Sequence, residues 1–174
     1  MSILKVARMG HPVLRIRTRP LDRSEISSQS IQKLIDDMIE TMREYHGVGL
    51  AAPQIHESVR LFVAALDAGE NGPGDETVVL INPETTPVGK ETVEDWEGCL
   101  SIPDIRGRVP RAREIKVRAF DRSGARIEIQ AHDFPARVIQ HETDHLDGVL
   151  FVDRMKSFES LTFLDEYSRY WVKD

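Results

Sequence analysis

The residues best suited to chemistry form a short run, His141-Glu-Thr-Asp-His145, in the last quarter of the chain. On an α-helix, residues four positions apart lie one turn above each other on the same face, so both imidazoles can converge on one cation. Glu142 follows the first histidine, where its carboxylate can reach a water molecule on that cation without itself becoming a ligand. The metal lowers the pKa of the water, and the carboxylate takes and returns the proton. The run therefore predicts a hydrolytic metal site.

Two histidines do not complete such a site, and the third ligand decides the class of enzyme. One extended zinc-protease pattern requires a histidine at position 151, but Phe151 stands there and cannot bind a metal. Glu166, 21 residues after His145, is a second candidate. The third is Cys99, in Glu97-Gly-Cys-Leu-Ser101, because a thiolate with two imidazoles suits Zn²⁺ or Fe²⁺ and leaves a position for water. The residues alone leave Glu166 and Cys99 open.

A glycine-rich stretch, Gly47-Val-Gly-Leu-Ala-Ala-Pro-Gln54, is a further candidate for function. It does not fit a phosphate-binding loop, because no lysine or threonine follows the glycines and no strand precedes them. Backbone exposed by glycine can instead pair with an extended peptide. The Gln54 amide is a donor suited to a developing oxyanion.

Hydrophobic spacing predicts the helices that must position these residues. Ser30 to His46 has apolar residues at helical spacing, and Gly47 ends the pattern. A second helix from Pro135 to Gly148 carries the histidine run. In the tail, Phe158 to Trp171 also shows helical spacing.

Short runs rich in Val, Leu and Ile predict the strands. They lie at Arg60–Leu66 and Thr77–Ile81, with a glycine-rich loop between them at 67–76. Glu114–Phe120 and Arg126–Ala131 alternate and predict a hairpin. The order of elements indicates an α+β fold, with short antiparallel or mixed sheets around a central metal-binding helix and an N-terminal amphipathic helix.

Composition narrows the class of protein. The 174 residues fit a single catalytic domain, and one cysteine can form neither an internal disulfide nor a zinc ribbon. A net charge of −6 argues against a surface that wraps DNA. The N-terminus does not resemble a signal peptide, and no apolar run approaches the roughly 20 residues of a membrane helix. We therefore expect a cytoplasmic protein with neither a membrane nor a DNA partner.

Together, the three segments resemble the peptide deformylase family, metal hydrolases that remove the formyl group from N-formylmethionyl chains. The family's motifs stand here, in the family's order, as Gly47–Gln54, Glu97–Ser101 and Gln140–Leu146. The resemblance runs from about residue 8 to residue 154. It implies Cys99 as the ligand that joins the two histidines. It also implies Fe²⁺ as the physiological ion, with Zn²⁺ or Ni²⁺ able to substitute.

The resemblance further implies how the reaction proceeds. Glu142 helps to generate a hydroxide equivalent that attacks the formyl carbon, and then hands the proton to the departing amine. The oxyanion is held by the Gln54 amide and the backbone N–H of Leu100 as well as by the metal.

The substrate is expected to lie extended beside the site. Its backbone pairs with the chain near Gly47, Gly49 and Gly98. Its methionine side chain enters a pocket for which Val48, Phe134 and Val138 are the predicted lining. Glu97 and Arg106 are expected to form a supporting ion pair or to guide the peptide.

The expected partners are nascent N-formylmethionyl peptides, with association with the ribosome as a further expectation. Some family members dock there through a basic C-terminal helix, but the apolar segment 157–174 has a net charge of −2, which disfavours this mode. The basic segments 1–20 and 104–122, with net charges of +5 and +4, are the alternatives, and the sequence assigns no contact site.

Two other functions fit parts of the pattern. A general metallopeptidase would use Glu166 as its third ligand. A non-catalytic peptide-binding or metal-storage domain would not need the proton-transferring Glu142.

Overall fold

The computed structural model describes residues 2–66 and 77–172, so the loop predicted at 67–76 lies outside the described residues. The helices are α1 (Arg23–Ile26), α2 (Gln29–Glu44), α3 (Asp133–Leu146), α4 (Phe151–Arg154) and α5 (Leu164–Tyr170). The strands are β1 (Gly49–Ala51), β2 (Leu61–Ala65), β3 (Thr77–Pro87), β4 (Thr92–Cys99), β5 (Ile102–Ala112), β6 (Glu114–Phe120), β7 (Arg126–His132) and β8 (Thr162–Phe163). Helices and antiparallel sheets alternate irregularly along the chain, which confirms the α+β class.

In the described residues, the strands form two antiparallel sheets. One has the order β1-β2-β3-β6-β7 and the other β4-β5-β8. The predicted hairpin is confirmed as β6 and β7, and the Asp121 carboxylate stabilises its turn by accepting the backbone N–H groups of Ser123 and Ala125. The strand predicted at Thr77–Ile81 continues to Pro87, past a bulge between Ile81 and Glu84.

Helix α2 forms where the apolar spacing predicts it. The Ser28 side chain caps its first turn by accepting the Ile31 N–H at 3.4 Å. Ile35, Met38 and Met42 are fully buried and pack in the core with residues of β1 and β2. The helix ends at Glu44, two residues before the predicted end.

Helix α3 lies between the two sheets and carries the histidine run. It begins at Asp133, two residues before the predicted start, and ends at Leu146. Buried Val138, Ile139 and Leu146 pack against the five-stranded sheet. Gly148 follows in a left-handed conformation (φ 74°), which reverses the chain after the helix. The apolar packing of α3 fixes where its histidines point.

Two features of the fold differ from the sequence-based prediction. Strands β4 and β5 were not predicted, because charged residues, Gly107 and Pro110 interrupt their alternation. The tail is not one helix: a 3₁₀ turn at Phe158–Ser160 and the short strand β8 precede α5, which covers only Leu164–Tyr170. Within the described residues, no helix is both long enough and apolar enough to cross a bilayer.

Candidate active site

Three potential metal ligands converge where the end of β4 meets α3. The Sγ of Cys99 lies 3.2 Å from Nε2 of His145, and ligand atoms of Cys99, His141 and His145 all lie within 4.8 Å of one another. Their residues are 8%, 9% and 1% exposed, respectively. Thiolate and imidazole donors bind a transition metal at about 2.0–2.3 Å, so a shared ion requires donors a few ångströms apart. The three residues fit a metal ion.

Glu97, also on β4, fixes the orientation of His141. Its Oε2 lies 2.9 Å from Nδ1 of His141, so Nδ1–H donates to the carboxylate and Nε2 is left free to bind a metal. Two arginines donate to the same carboxylate: Nε of Arg111 at 2.9 Å and Nη1 of Arg137 at 2.8 Å. Burial raises the pKa of Glu97, but the hydrogen bonds from His141 and Arg111 outweigh burial and hold that pKa well below its usual range. Glu97 is therefore an anionic anchor for His141.

The predicted ion pair between Glu97 and Arg106 does not form, whereas the alternative role, guiding the peptide, stays a prediction. Both carboxylate oxygens of Glu97 are taken by Arg111, Arg137 and His141. The Arg106 guanidinium lies over Gly98, where a β-carbon would collide with it. The arginines that do hold Glu97 come from β5 and α3, and together they fasten the end of β4 to the metal-binding helix.

The Cys99 sulfur accepts two N–H groups. Ser101 N–H donates to Sγ at 3.4 Å, and Nε2 of Gln54 donates to it at 3.6 Å. Burial raises the pKa of the Cys99 thiol, but the neighbouring His145 and His141 outweigh burial and hold the pKa well below its usual value. The thiolate, which is the form that binds metals, is thus the favoured state.

Gln54 is buried (1% exposed) and its amide is held at both ends. Its Oε1 accepts the N–H of Ala51 at 2.8 Å, and its Nε2 donates to Oγ of Ser101 at 3.1 Å. These contacts fix the orientation of the amide, so its N–H groups face the cysteine. A donor held this way can meet developing negative charge without reorganising.

Glu142 lies next to the triad in a pocket that Gly49 leaves open. A β-carbon at Gly49 would fall 2.7 Å from Cδ and 2.8 Å from Cγ of Glu142. The side chain is 4% exposed, and its Oε2 has no hydrogen-bond partner among the described residues. Burial raises the pKa of Glu142 to about 7, although His141 and His145 oppose the shift. A carboxylate with that pKa can both accept and release a proton near neutral pH.

These groups open onto a cavity of about 800 Å³. Gln54 and Leu100 border this cavity. So do all the residues predicted to contact substrate, which are Gly47, Val48, Gly49, Glu97, Gly98, Arg106, Phe134 and Val138. Phe134 is 43% exposed at the rim, whereas Val138 is buried deeper on the same helix. The structure thus brings the three sequence segments together around one cleft.

The alternative third ligand lies elsewhere. Glu166 is on α5, where its carboxylate pairs with Arg169 at 3.3 Å. Among the described residues, the cluster capable of holding a metal contains Cys99 and not Glu166.

Arg111, Arg137 and Ser101 were not among the residues predicted from the sequence. Arg137 carried a usable signal, because it lies one helical turn before His141 and hence on the same face. Ser101 is the last residue of the motif that contains Cys99, whereas Arg111 carried no signal, because its partners Glu97 and Asp144 are 14 and 33 residues away.

A buried thiolate and two imidazoles, with a carboxylate of raised pKa beside an open cleft, define a metal-dependent hydrolase. Comparison with known proteins gives the family. The model of the polypeptide deformylase family matches residues 3–160, and the chain belongs to that family. It is therefore a hydrolase that removes the N-formyl group from newly made peptides.

Individual relatives agree with this assignment. Peptide deformylase 2 of Nostoc sp. is 41% identical over 176 residues, covering 99% of this chain and 97% of its own. The crystal structure of a Met-Ala-Ser-bound class I type b peptide deformylase from Acinetobacter baumannii is 39% identical, with a TM-score of 0.83, and covers 88% of this chain and 99% of its own. The structure of a peptide deformylase from Thermotoga maritima is also 39% identical, with a TM-score of 0.82, and covers 90% of this chain and 100% of its own.

Proposed function

We propose that Cys99, His141 and His145 bind one divalent metal ion, with Fe²⁺ as the physiological ion and Zn²⁺ or Ni²⁺ able to replace it. The observation that carries this proposal is the convergence of the three buried donor atoms. A borderline-soft donor set of one sulfur and two nitrogens suits these ions better than Mg²⁺ or Ca²⁺. When bound, such an ion supplies a Lewis acid that lowers the pKa of a water molecule and polarises a carbonyl.

Glu142 is the proton-transferring residue of the proposal. Its carboxylate accepts a proton from the attacking water as the new C–O bond forms at the formyl carbon. It then gives that proton to the amine nitrogen as the C–N bond breaks, which releases formate and a free methionine amino group. The buried carboxylate oxygen supports this role, because no hydrogen-bond partner among the described residues occupies it.

Gln54 and Leu100 are proposed to stabilise the oxyanion. The Gln54 amide is held by Ala51 and Ser101, and its second N–H, which makes the long 3.6 Å contact with Sγ of Cys99, is the one proposed to turn to the new negative charge. The backbone N–H of Leu100 follows the cysteine in sequence, and Leu100 borders the same cleft.

The peptide is proposed to bind extended, beside β4. In the described residues β4 pairs only with β5, so its other edge has no strand partner. On that edge, Arg137 already donates to the carbonyls of Val93 and Asp95. Backbone groups two residues apart on a strand point to the same side, so those of Glu97 point to the same edge as those of Val93 and Asp95. Because Arg137 occupies the edge at Val93 and Asp95, the part left for a substrate is at Glu97, next to the cysteine. The arrangement supports methionine entering the pocket of Val48, Phe134 and Val138.

We also propose a location and a partner for the protein. Formylated chains are made at the ribosome, so we place the protein in the cytoplasm and in contact with translating ribosomes. In the segment 104–122, Arg111, Arg113, Arg118 and Arg122 already form ion pairs with acidic residues, which leaves fewer of its basic groups for that contact. Cosedimentation with ribosomes that carry nascent chains tests the association.

The ligand set is tested by paired variants, prepared anaerobically with Fe²⁺ or aerobically with Zn²⁺. We expect Cys99→Ala to lose both the bound metal and the hydrolysis of formyl-Met-Ala. Glu166→Ala, the matched acid from the rejected alternative, should keep both. Metal content by mass spectrometry and formate release are measured on the same samples. Metal retained by Cys99→Ala, or lost by Glu166→Ala, contradicts the assignment.

A further inference from the structure

The C-terminal segment forms part of the wall of the active-site cleft. Strand β8 pairs with β5 through Ile105↔Phe163 and Arg106↔Thr162, and this pairing carries α5 back across β4 and β5. Leu164, the first residue of α5, borders the same cavity as Cys99. The match to the family model ends at residue 160, so Leu164 lies outside the matched residues.

An aromatic cluster fixes the position of α5. The Trp96 ring on β4 lies 5.0 Å from the ring of Tyr167 and 5.4 Å from that of Trp171. Trp96 itself borders the cavity, next to Leu164. The packing of aromatic rings in this range is favourable and holds the helix against β4. The apolar wall made by Trp96 and Leu164 is therefore attached to β4, the strand that ends at Cys99.

This wall lies on the path that an extended substrate takes away from the triad. Trp96 and Gly98 are two residues apart on β4 and share a face, and the Arg106 side chain covers Gly98. Trp96 precedes Cys99 by three residues, which is about 10 Å of strand. A peptide lying beside β4 covers that distance with about three of its own residues. The side chains downstream of the formylated methionine thus arrive at Trp96, Arg106 and Leu164, which we call the outer subsite.

We propose that the outer subsite binds apolar side chains at the third and fourth residues of the formylated peptide. The inference rests on the proposed function and adds a preference beyond methionine. Trp96 and Leu164 offer apolar surface, so leucine there gains burial that serine does not.

Three amidated peptides test the proposal: formyl-Met-Ala, formyl-Met-Ala-Leu-Leu and formyl-Met-Ala-Ser-Ser. With wild-type protein we expect kcat/KM for the Leu-Leu peptide to exceed that for the Ser-Ser peptide about tenfold, a factor equivalent to about 1.4 kcal/mol. Leu164→Ala should reduce this ratio to twofold or less, and Leu164→Met should keep it. Tyr170→Ala is the matched control, because Tyr170 is on the same helix but 67% exposed and outside the cavity wall.

The peptide formyl-Met-Ala tests the proposed function separately from the outer subsite, because it is too short to reach that subsite. All four proteins should hydrolyse it at the same rate. Equal rates on the two longer peptides, or an unchanged ratio in Leu164→Ala, overturn the subsite while hydrolysis of formyl-Met-Ala upholds the proposed function. A wild-type protein that does not hydrolyse formyl-Met-Ala overturns both.

Discussion

The contact between Gly49 and Glu142 allows the position of the proposed proton-transferring group to be tested without changing that group. In Gly49→Ala, the new β-carbon would fall 2.7 Å from Cδ of Glu142, and ordinary contact begins at 3.4 Å. The Glu142 side chain must therefore retreat by at least 0.7 Å, and its carboxylate oxygen, which lies nearer to Gly49, by more. The Gly49 backbone is extended in β1 and accepts alanine, so the fold should remain intact.

A displacement of about 1 Å at a reacting group can cost about 100-fold in rate, or about 2.7 kcal/mol of transition-state stabilisation. We therefore expect kcat on formyl-Met-Ala to fall about 100-fold in Gly49→Ala, with metal content unchanged and the unfolding midpoint in urea nearly so. Gly107→Ala is the matched control. Its β-carbon would fall 2.7 Å from Sδ of Met155 and 3.2 Å from the ring of Phe151, both outside the cleft, so kcat should fall far less than in Gly49→Ala.

A double-mutant cycle shows whether the loss acts through Glu142. In a Glu142→Ala background no carboxylate remains to be displaced, so adding Gly49→Ala should leave the residual rate unchanged. Unchanged kcat in the single variant, or the same 100-fold loss in both backgrounds, refutes the reasoning.

Three further predictions concern what supports the site. Arg111→Met leaves the buried carboxylates of Glu97 and Asp144 short of a partner, so it should lower the free energy of unfolding in urea by about 3–5 kcal/mol. Arg118→Met is the control, because its partner is an exposed acid, and it should lower that free energy by less than about 1 kcal/mol. Glu97→Gln keeps the shape but removes the anionic acceptor of His141, and should weaken Zn²⁺ binding about 10- to 100-fold in a competition titration with a chelator; unchanged affinity contradicts the anchoring role. Gly148→Ala and Gly89→Ala both place alanine in a left-handed conformation, but of the two only the β-carbon at Gly148 would meet backbone, 2.8 Å from the carbonyl of Arg15. The thermal unfolding midpoint of Gly148→Ala should therefore fall further than that of Gly89→Ala. Equal falls would show that the contact with Arg15 does not matter.

The parts of the fold that the sequence predicts are those set by local spacing. Helix α2 follows from an apolar stripe that ends in Met38 and Met42, and the β6–β7 hairpin follows from alternation on either side of a Gly124 turn. Strands β4 and β5 could not be predicted in this way. Their buried polar residues, such as Arg111, are compatible with a sheet because acids distant in sequence, Glu97 on β4 and Asp144 on α3, neutralise them.

In the candidate site too, the residues that local motifs contain could be predicted, whereas contacts between distant residues could not. The motifs locate Cys99, His141 and Glu142, because each motif is a run of neighbouring residues. The partners of Glu97 are 14, 40 and 44 residues away in sequence, so local pattern could not reveal that its carboxylate binds Arg111 and Arg137 rather than Arg106. The tail was mispredicted for a related reason. Its apolar residues from Phe158 onward have helical spacing, but Phe158–Ser160 forms a 3₁₀ turn and Thr162–Phe163 forms a strand, because it pairs with β5.

The central claim is that Cys99, His141 and His145 hold the metal while Glu142 transfers the proton. The most direct measurement is metal content and formate release from formyl-Met-Ala on one sample of Glu142→Gln. We expect this variant to keep its metal at the wild-type level and to lose about 10²- to 10⁴-fold in kcat, the contribution typical of a general acid–base group. Wild-type kcat in the metal-loaded variant, or loss of the metal with the carboxylate, would contradict it.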